Sequence, residues 1–227
     1  MSAPLRLVFD LDDTLYPERS YALGGFRAAA DYARDTWGLA DLAPEMTRLL
    51  DAGMLGPLFK QVLHAAKPDT TADQLAEFVR AYSRHTPNLT LFPDAAAVLD
   101  HFEQLGPLGL ITDGHAKTQA AKVAALGIAP RFKSIVYTGA LGPDRAFHKP
   151  HPMAFELTEQ TLGGTRDRFV YVGDNPAKDF AAPNARGWCT VQIVRAGGIH
   201  GTPAAIPGGE AHHRITSLMD LPAILAG

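Results

Sequence analysis

Two carboxylates, Asp10 and Asp12, stand two residues apart where the apolar run Leu7-Val8-Phe9 ends. On an extended strand successive side chains alternate faces, so the two acids project to one side and Leu11 to the other. Carboxylates held that close repel, and one is pushed toward its protonated form unless a cation lies between them. The pair predicts a bound hard metal ion, or a nucleophile beside a proton donor. A calcium loop of the EF-hand kind starting at Asp10 is excluded. It needs Gly at its sixth place and Glu at its twelfth, where this chain has Leu15 and Tyr21.

The elements that must position these acids can be read from the apolar pattern. Short buried-strand runs cover 5–9, 108–112, 169–172 and 190–194, with a weaker one at 134–137 and an edge candidate at 214–216. Helical periods fill 94–105, 117–126 and 153–162, the last following Pro152 and stopping at Gly163-Gly164. Strands alternating with helices of this length make a parallel α/β sheet. Between the first two strands the alternation breaks into helices only, at 22–37, 44–50, 57–66 and 71–83. The last opens on Thr71 with Gln74 three residues later, a capping box. Some sixty residues of helix are too long for one crossover, so they read as an inserted module. Hinges fall near 16–20 and 86–93. The expected organisation is a three-layer Rossmann-like core, 1–16 and 88–227, with an α-helical bundle inserted at 17–87.

Ligands of doubly wound sheets bind beyond the carboxyl ends of the strands. Past the first strand lie Asp10, Asp12 and Thr14, and past the second lie Thr112, Asp113 and Gly114. Lys149-Pro150 leads into the helix at 153, and Gly173-Asp174 ends the 169–172 run, with Asp179 five residues on. Four carboxylates, one hydroxyl and one ammonium then meet at one edge. Lys149 alone cannot balance four acids. Oxygen-only ligands with open positions favour Mg²⁺.

This ordered set resembles the haloacid dehalogenase superfamily of hydrolases. Asp10-Leu11-Asp12-Asp13-Thr14 matches its first motif and Thr112 its second. Lys149-Pro150 matches the third, and Gly173-Asp174 with Asp179 the fourth. Each motif alone is weak; four in order are specific. The helical insertion looks like the family's type 1 cap, as in its phosphoglycolate phosphatase branch. The resemblance implies that Asp10 is a nucleophile forming an aspartyl phosphate, and that Asp12 is the acid and then the base of the two half-reactions. Asp12 is expected to have a raised pKa from crowding by Asp10 and Asp174. Mg²⁺ would be held by Asp10, the Asp12 main-chain carbonyl and Asp174. Thr112 would donate to a phosphoryl oxygen, Lys149 would neutralise nucleophile and phosphate, and Asp179 would orient Lys149 or a metal-bound water. Closure of a mobile cap would exclude water and choose the substrate.

Asp113 stands where the family commonly has Asn, and its carboxylate would repel a phosphate unless it turns away. With Gly114, His115, Tyr16 and Arg19 it forms the candidate substrate-binding set; Glu18, Lys60 and His64 are further specificity candidates on the cap. His148 and His151 read as loop residues, because an oxygen-rich magnesium site needs no imidazole. Asp12 favours phosphoryl transfer over carbon–halogen cleavage, since the dehalogenase branch usually lacks this second acid. A phosphomutase and a non-catalytic metal- or phosphoryl-binding regulatory module are the alternatives.

The bulk composition is that of an ordinary globular protein with a sizeable core. The 227 residues are 46% hydrophobic and 20% charged, with a formal charge of −3. That balance offers no basic footprint for nucleic acid and no polybasic face for a membrane. No apolar run approaches the roughly 20 residues needed to span a bilayer, and the N-terminus lacks signal-peptide features. The single cysteine, Cys189, rules out an internal disulfide and fits a reducing compartment. A cytoplasmic monomer or homodimer acting on a small phosphorylated substrate is expected.

Overall fold

A computed structural model describes residues 4–54, 56–199, 201 and 203–225. In chain order the elements are β1 (Arg6–Phe9), α1 (Glu18–Trp37), α2 (Ala43–Asp51), α3 (Leu58–Ala66), α4 (Ala72–Ser83) and α5 (Pro93–Phe102). They continue with β2 (Leu108–Thr112), α6 (Ala116–Ala125), β3 (Phe132–Tyr137), α7 (Met153–Leu162) and β4 (Phe169–Gly173). The chain ends with α8 (Ala181–Ala185), β5 (Cys189–Ile193), β6 (His213–Ile215) and α9 (Leu221–Leu225).

Residues up to Pro17 and from Thr90 onward form one compact unit, and Glu18–Leu89 form the other. In the first unit the described strands build a six-stranded sheet ordered β3-β2-β1-β4-β5-β6, every pairing parallel. This is the Rossmann-like α/β core that strand–helix alternation requires. β2 and β4 are buried along their whole length, which is why they read as unbroken apolar runs. Strand order reverses between β1 and β4, and such a switch point opens the crevice where α/β proteins bind ligands. The Asp10 N–H donates to the Val172 carbonyl at 2.8 Å, continuing the β1–β4 ladder one residue past β1. This bond fixes Asp10 beside the loop that starts at Asp174.

The sheet is anchored by an aromatic layer. Phe155, Phe169, Tyr171, Phe180 and Trp188 share one buried cluster with Val8 and Ile111. Trp188 stacks on Phe169 with ring centroids 4.5 Å apart, and its indole N–H donates to Glu159 at 2.9 Å. Tyr171 thereby projects its hydroxyl from a rigid central strand.

The second unit is helical throughout its described regular structure. α1 starts at Glu18, four residues before the periodicity suggested, because Pro17 and the acid after it are strong helix-start signals. The capping box at Thr71 and Gln74 forms as expected. Gly25 of α1 lets Tyr82 of α4 lie directly on the backbone. A Cβ there would stand only 2.4 Å from the Tyr82 ring. Overpacking of that kind costs about 1–3 kcal/mol, against about 1 kcal/mol returned by better helix propensity. Gly25→Ala is therefore expected to lower the urea midpoint; an unchanged or higher midpoint would mean that Tyr82 moves freely.

Candidate active site

Asp10, the first residue beyond β1, is buried, and its Oδ1 accepts a hydrogen bond from Lys149 Nζ at 2.5 Å. The same ammonium lies 2.8 Å from Asp179 Oδ1 and donates to the Tyr171 hydroxyl at 2.9 Å. The Lys149 side chain has no exposed surface. Burial opposes its charge, but Asp10 and Asp179 outweigh that and hold its pKa well above the ordinary range. Lys149 is thus a fixed buried cation. Asp179 is itself held by the Asn175 N–H at 2.9 Å; it closes the loop after β4 and does not cap α8.

Lys149 and the nearby Lys178 do not satisfy this cluster. Asp10, Asp174 and Asp179 each place a carboxylate oxygen within 4.8 Å of the others. Burial first, then Asp179 and Asp10, pushes the Asp174 pKa up to about 9. Burial also pushes Asp10 up to about 6, despite Lys149. Among the described residues, Asp10 Oδ2 is buried and accepts no hydrogen bond, and the Asp174 carboxylate accepts none. A hard oxygen-ligated dication is what such an arrangement fits. It would take the orphaned oxygen of Asp10 and ionise Asp174.

Asp12 lies in a different environment. Its Oδ1 accepts from Lys122 Nζ at 2.7 Å and from the Tyr16 hydroxyl at 2.5 Å, and its Oδ2 accepts from Gln119 Nε2 at 2.8 Å. Burial alone would raise its pKa, but Lys122 outweighs that, helped by Tyr16 and Gln119, and the pKa falls below the ordinary value. The expectation of a raised Asp12 pKa is corrected by these contacts. The burial that, with neighbouring acids, raises Asp10 and Asp174 is, at Asp12, overcome by a buried ammonium. Thr112 is buried at the end of β2 and its hydroxyl oxygen accepts from the same Gln119 Nε2 at 2.5 Å.

The other expected residues fall in varied places. Asp113 turns its Oδ1 onto the Thr138 hydroxyl at 2.8 Å and the Lys149 N–H at 3.0 Å, so it pins the loop that carries the buried lysine. Burial opposes its charge, but Lys149 and Lys178 keep it below the usual carboxylate range. Gly114 needs its freedom at φ +118°, beside the Gln119 side chain. His115 is exposed at the start of α6. Tyr16 is fully buried on Asp12, while Arg19 makes a two-nitrogen contact with Asp51 at 3.0–3.1 Å inside the helical unit. Lys60 is exposed and His64 half-buried on α3. His151 Nδ1 accepts from the Met153 N–H at 3.2 Å, just before α7 begins. Cys189 is half-buried, and burial pushes its thiol pKa up, away from nucleophilic use.

Sequence reasoning missed Gln119, Lys122 and Lys178. The signal for the first two was present. On α6 the buried face consists of Gln119, Lys122 and Val123, polar groups where a core-facing helix is ordinarily apolar. Lys178 lies 3.7 Å from Asp113 Oδ2 and is raised in pKa; burial and the Lys149 ammonium oppose its charge, and Asp10, Asp179 and Asp113 outweigh them.

A family model described as haloacid dehalogenase-like hydrolase matches residues 6–186. The glyceraldehyde 3-phosphate phosphatase of Methanopyrus kandleri is 31% identical over 198 residues, 83% of each chain. The (S)-2-haloacid dehalogenase of Xanthobacter autotrophicus is 29% identical over 196 residues, 79% of this chain and 73% of that one. Among solved structures, the magnesium-bound HAD-hydrolase YfnB of Bacillus subtilis superposes with a TM-score of 0.69 at 18% identity, covering 99% of both chains.

Proposed function

Since this chain belongs to the haloacid dehalogenase-like hydrolase family, we propose that it is a Mg²⁺-dependent phosphatase of a small phosphorylated metabolite. One observation carries the reading beyond the family. A second carboxylate, Asp12, sits next to the nucleophile candidate yet has its own donors, separate from those of Asp10. Cleaving carbon–halogen bonds needs one attacking carboxylate and no proton for the halide. Cleaving a phosphate ester needs a proton for the leaving alkoxide, and Asp12 is the group to carry it. That is why the phosphatase relative is the better guide than the dehalogenase relative, although identity hardly separates them.

In this mechanism Asp10 attacks phosphorus through a carboxylate oxygen. The Asp10–phosphorus bond forms, the ester P–O bond breaks, and Asp12 passes a proton to the departing oxygen. In the second half-reaction Asp12 takes a proton from water, the water oxygen bonds to phosphorus and the acyl phosphate breaks. Asp12 begins ionised; a phosphate dianion arriving beside it raises its proton affinity, so proton uptake accompanies binding. Thr112 donates to a phosphoryl oxygen. Lys149 balances charge on Asp10 and the phosphate, and Asp179 and Asp113 hold that lysine in place. Asp10, Asp174 and the Asp12 carbonyl would bind Mg²⁺, which supplies further charge neutralisation at the phosphoryl oxygens. No helix among the described residues is long and apolar enough to cross a membrane, and a cytoplasmic monomer or homodimer without nucleic-acid or membrane partners remains our reading.

The test is a parallel assay of the purified protein with Mg²⁺. It measures phosphate release from p-nitrophenyl phosphate and a panel of sugar and carboxylic-acid phosphates, and halide release from 2-chloropropionate. Phosphate without halide is expected. Halide without phosphate would make it a dehalogenase, phosphate moved within a sugar without loss to water a mutase, and inertness toward all a binding module.

A further inference from the structure

Gln119 and Lys122 lie three residues apart on α6 and are 2% and 3% exposed. Burying an amide and an ammonium is unfavourable unless every polar group is used. Gln119 uses both hydrogens of its amide nitrogen, one toward Asp12 Oδ2 and the other toward Thr112 Oγ1. The reversed amide would set its carbonyl oxygen against the Asp12 carboxylate, two acceptors face to face. Because the Thr112 oxygen is engaged as an acceptor, its own hydrogen remains to be donated onward. Lys122 and Tyr16 hold the other Asp12 oxygen. One helix face therefore sets the direction of both the proton-transfer group and the hydroxyl donor.

We propose that Gln119 and Lys122 are positioning residues of the phosphoryl-transfer step: Gln119 locks the Asp12 carboxylate and the Thr112 hydroxyl to each other, and Lys122 fixes the Asp12 oxygen that Tyr16 also holds. This rests on the reading of Asp12 as the proton-transfer group. Their influence must then depend on how badly the leaving group needs a proton. An alkoxide needs one; p-nitrophenolate, a stable anion, does not.

The experiment compares kcat/KM for glycerol 2-phosphate and for p-nitrophenyl phosphate, a quantity that covers the reaction only through formation of the Asp10 phosphate. Variants are Lys122→Met and Gln119→Leu, with Asp12→Asn as the reference and circular dichroism as the check on folding. General acids contribute about 10²–10⁴-fold, so Asp12→Asn is expected to lose about that much on glycerol 2-phosphate and little on p-nitrophenyl phosphate. Each positioning variant is expected to widen the ratio between the two substrates by about tenfold or more, a part of that same effect. If Lys122→Met does not fold, Lys122→Gln, which keeps a neutral donor, is read by the same ratio. Equal losses on both substrates, with Asp12→Asn still selective, would overturn the proposal and leave the two residues as mere supports. A non-selective Asp12→Asn would instead overturn the proton-transfer reading, and the proposal with it.

Discussion

Asp10→Asn is expected to abolish phosphate release while leaving the fold intact, a loss on the order of 10⁴-fold or more, as for removal of other covalent nucleophiles. An amide oxygen is a poor nucleophile toward phosphorus and carries no charge for Lys149 to balance. The fold is expected to survive because Lys149 keeps two other partners, Asp179 at 2.8 Å and the Tyr171 hydroxyl at 2.9 Å. The substitution also removes one of the acids that raise Asp174, so the ion-free variant is expected to be at least as stable as the parent near neutral pH. Two measurements check this: initial rates on p-nitrophenyl phosphate, and acid quenching followed by mass measurement to trap a phosphorylated Asp10 peptide. Parent-like turnover by the Asn variant, or a phosphoryl group trapped on another residue, would refute the assignment of Asp10.

Chelation is expected to have the next largest effect, and its pH dependence follows from the acid cluster. Activity is expected to vanish in EDTA and return with Mg²⁺. In the ion-free protein, Asp174 has its pKa raised from 3.8 to about 9 and Asp10 from 3.8 to about 6. Between 3.8 and those values the folded state holds protons that the unfolded chain has released. Their contribution to stability is complete below 3.8 and is lost as pH rises, by about 6 for Asp10 and about 9 for Asp174. These two acids are therefore expected to cost the ion-free protein thermal stability as pH rises from about 4 to 9, most steeply below 6, where both hold extra protons. Asp12 and Asp113 have the opposite sign: their pKa values are depressed, so their contribution is lost on acidification.

Mg²⁺ is expected to bind where the proton sits in the ion-free protein. Its affinity is expected to rise about tenfold per pH unit between 6 and 9, where one proton is displaced, and more steeply below 6, where two are. Calorimetric titration at pH 7 in two buffers of different ionisation enthalpy is expected to show release of about one proton per ion. Tight Mg²⁺ binding without proton release, or activity that ignores EDTA, would refute the metal assignment.

Much of the architecture was legible because it depends on local pattern. β2 and α7 begin and end at the residues the apolar runs and their Pro and Gly punctuation indicated, and the other expected strands differ by a residue or two at their ends. α1 is the larger discrepancy, because Pro17-Glu18 starts a helix before its apolar stripe begins. The acid cluster was legible for a topological reason. A parallel sheet gathers the residues after its strands at one edge, so Asp10 and Asp174, 164 positions apart in the chain, meet at the reversal between β1 and β4. The partners of Asp12 were not legible. Gln119 and Lys122 are 107 and 110 residues away, and their meeting with it depends on how α6 packs after β2.

The sequence by itself determined the parallel sheet and the meeting of Asp10, Asp174, Asp179 and Lys149 at its edge, because these follow from periodicity, punctuation and the order of strand ends. Only the tertiary structure decided their electrostatic states. Strand alternation put Asp10 and Asp12 on one side and so suggested one shared environment. Yet β1 ends at Phe9, and the chain beyond it directs the two acids to different partners. Asp10 is buried among acids, and its burial raises the pKa despite Lys149 and Lys178. Asp12 meets an ammonium, a phenol and an amide, and its pKa falls. Charge at these sites is set by the groups within a few ångströms, and long-range packing chooses those groups.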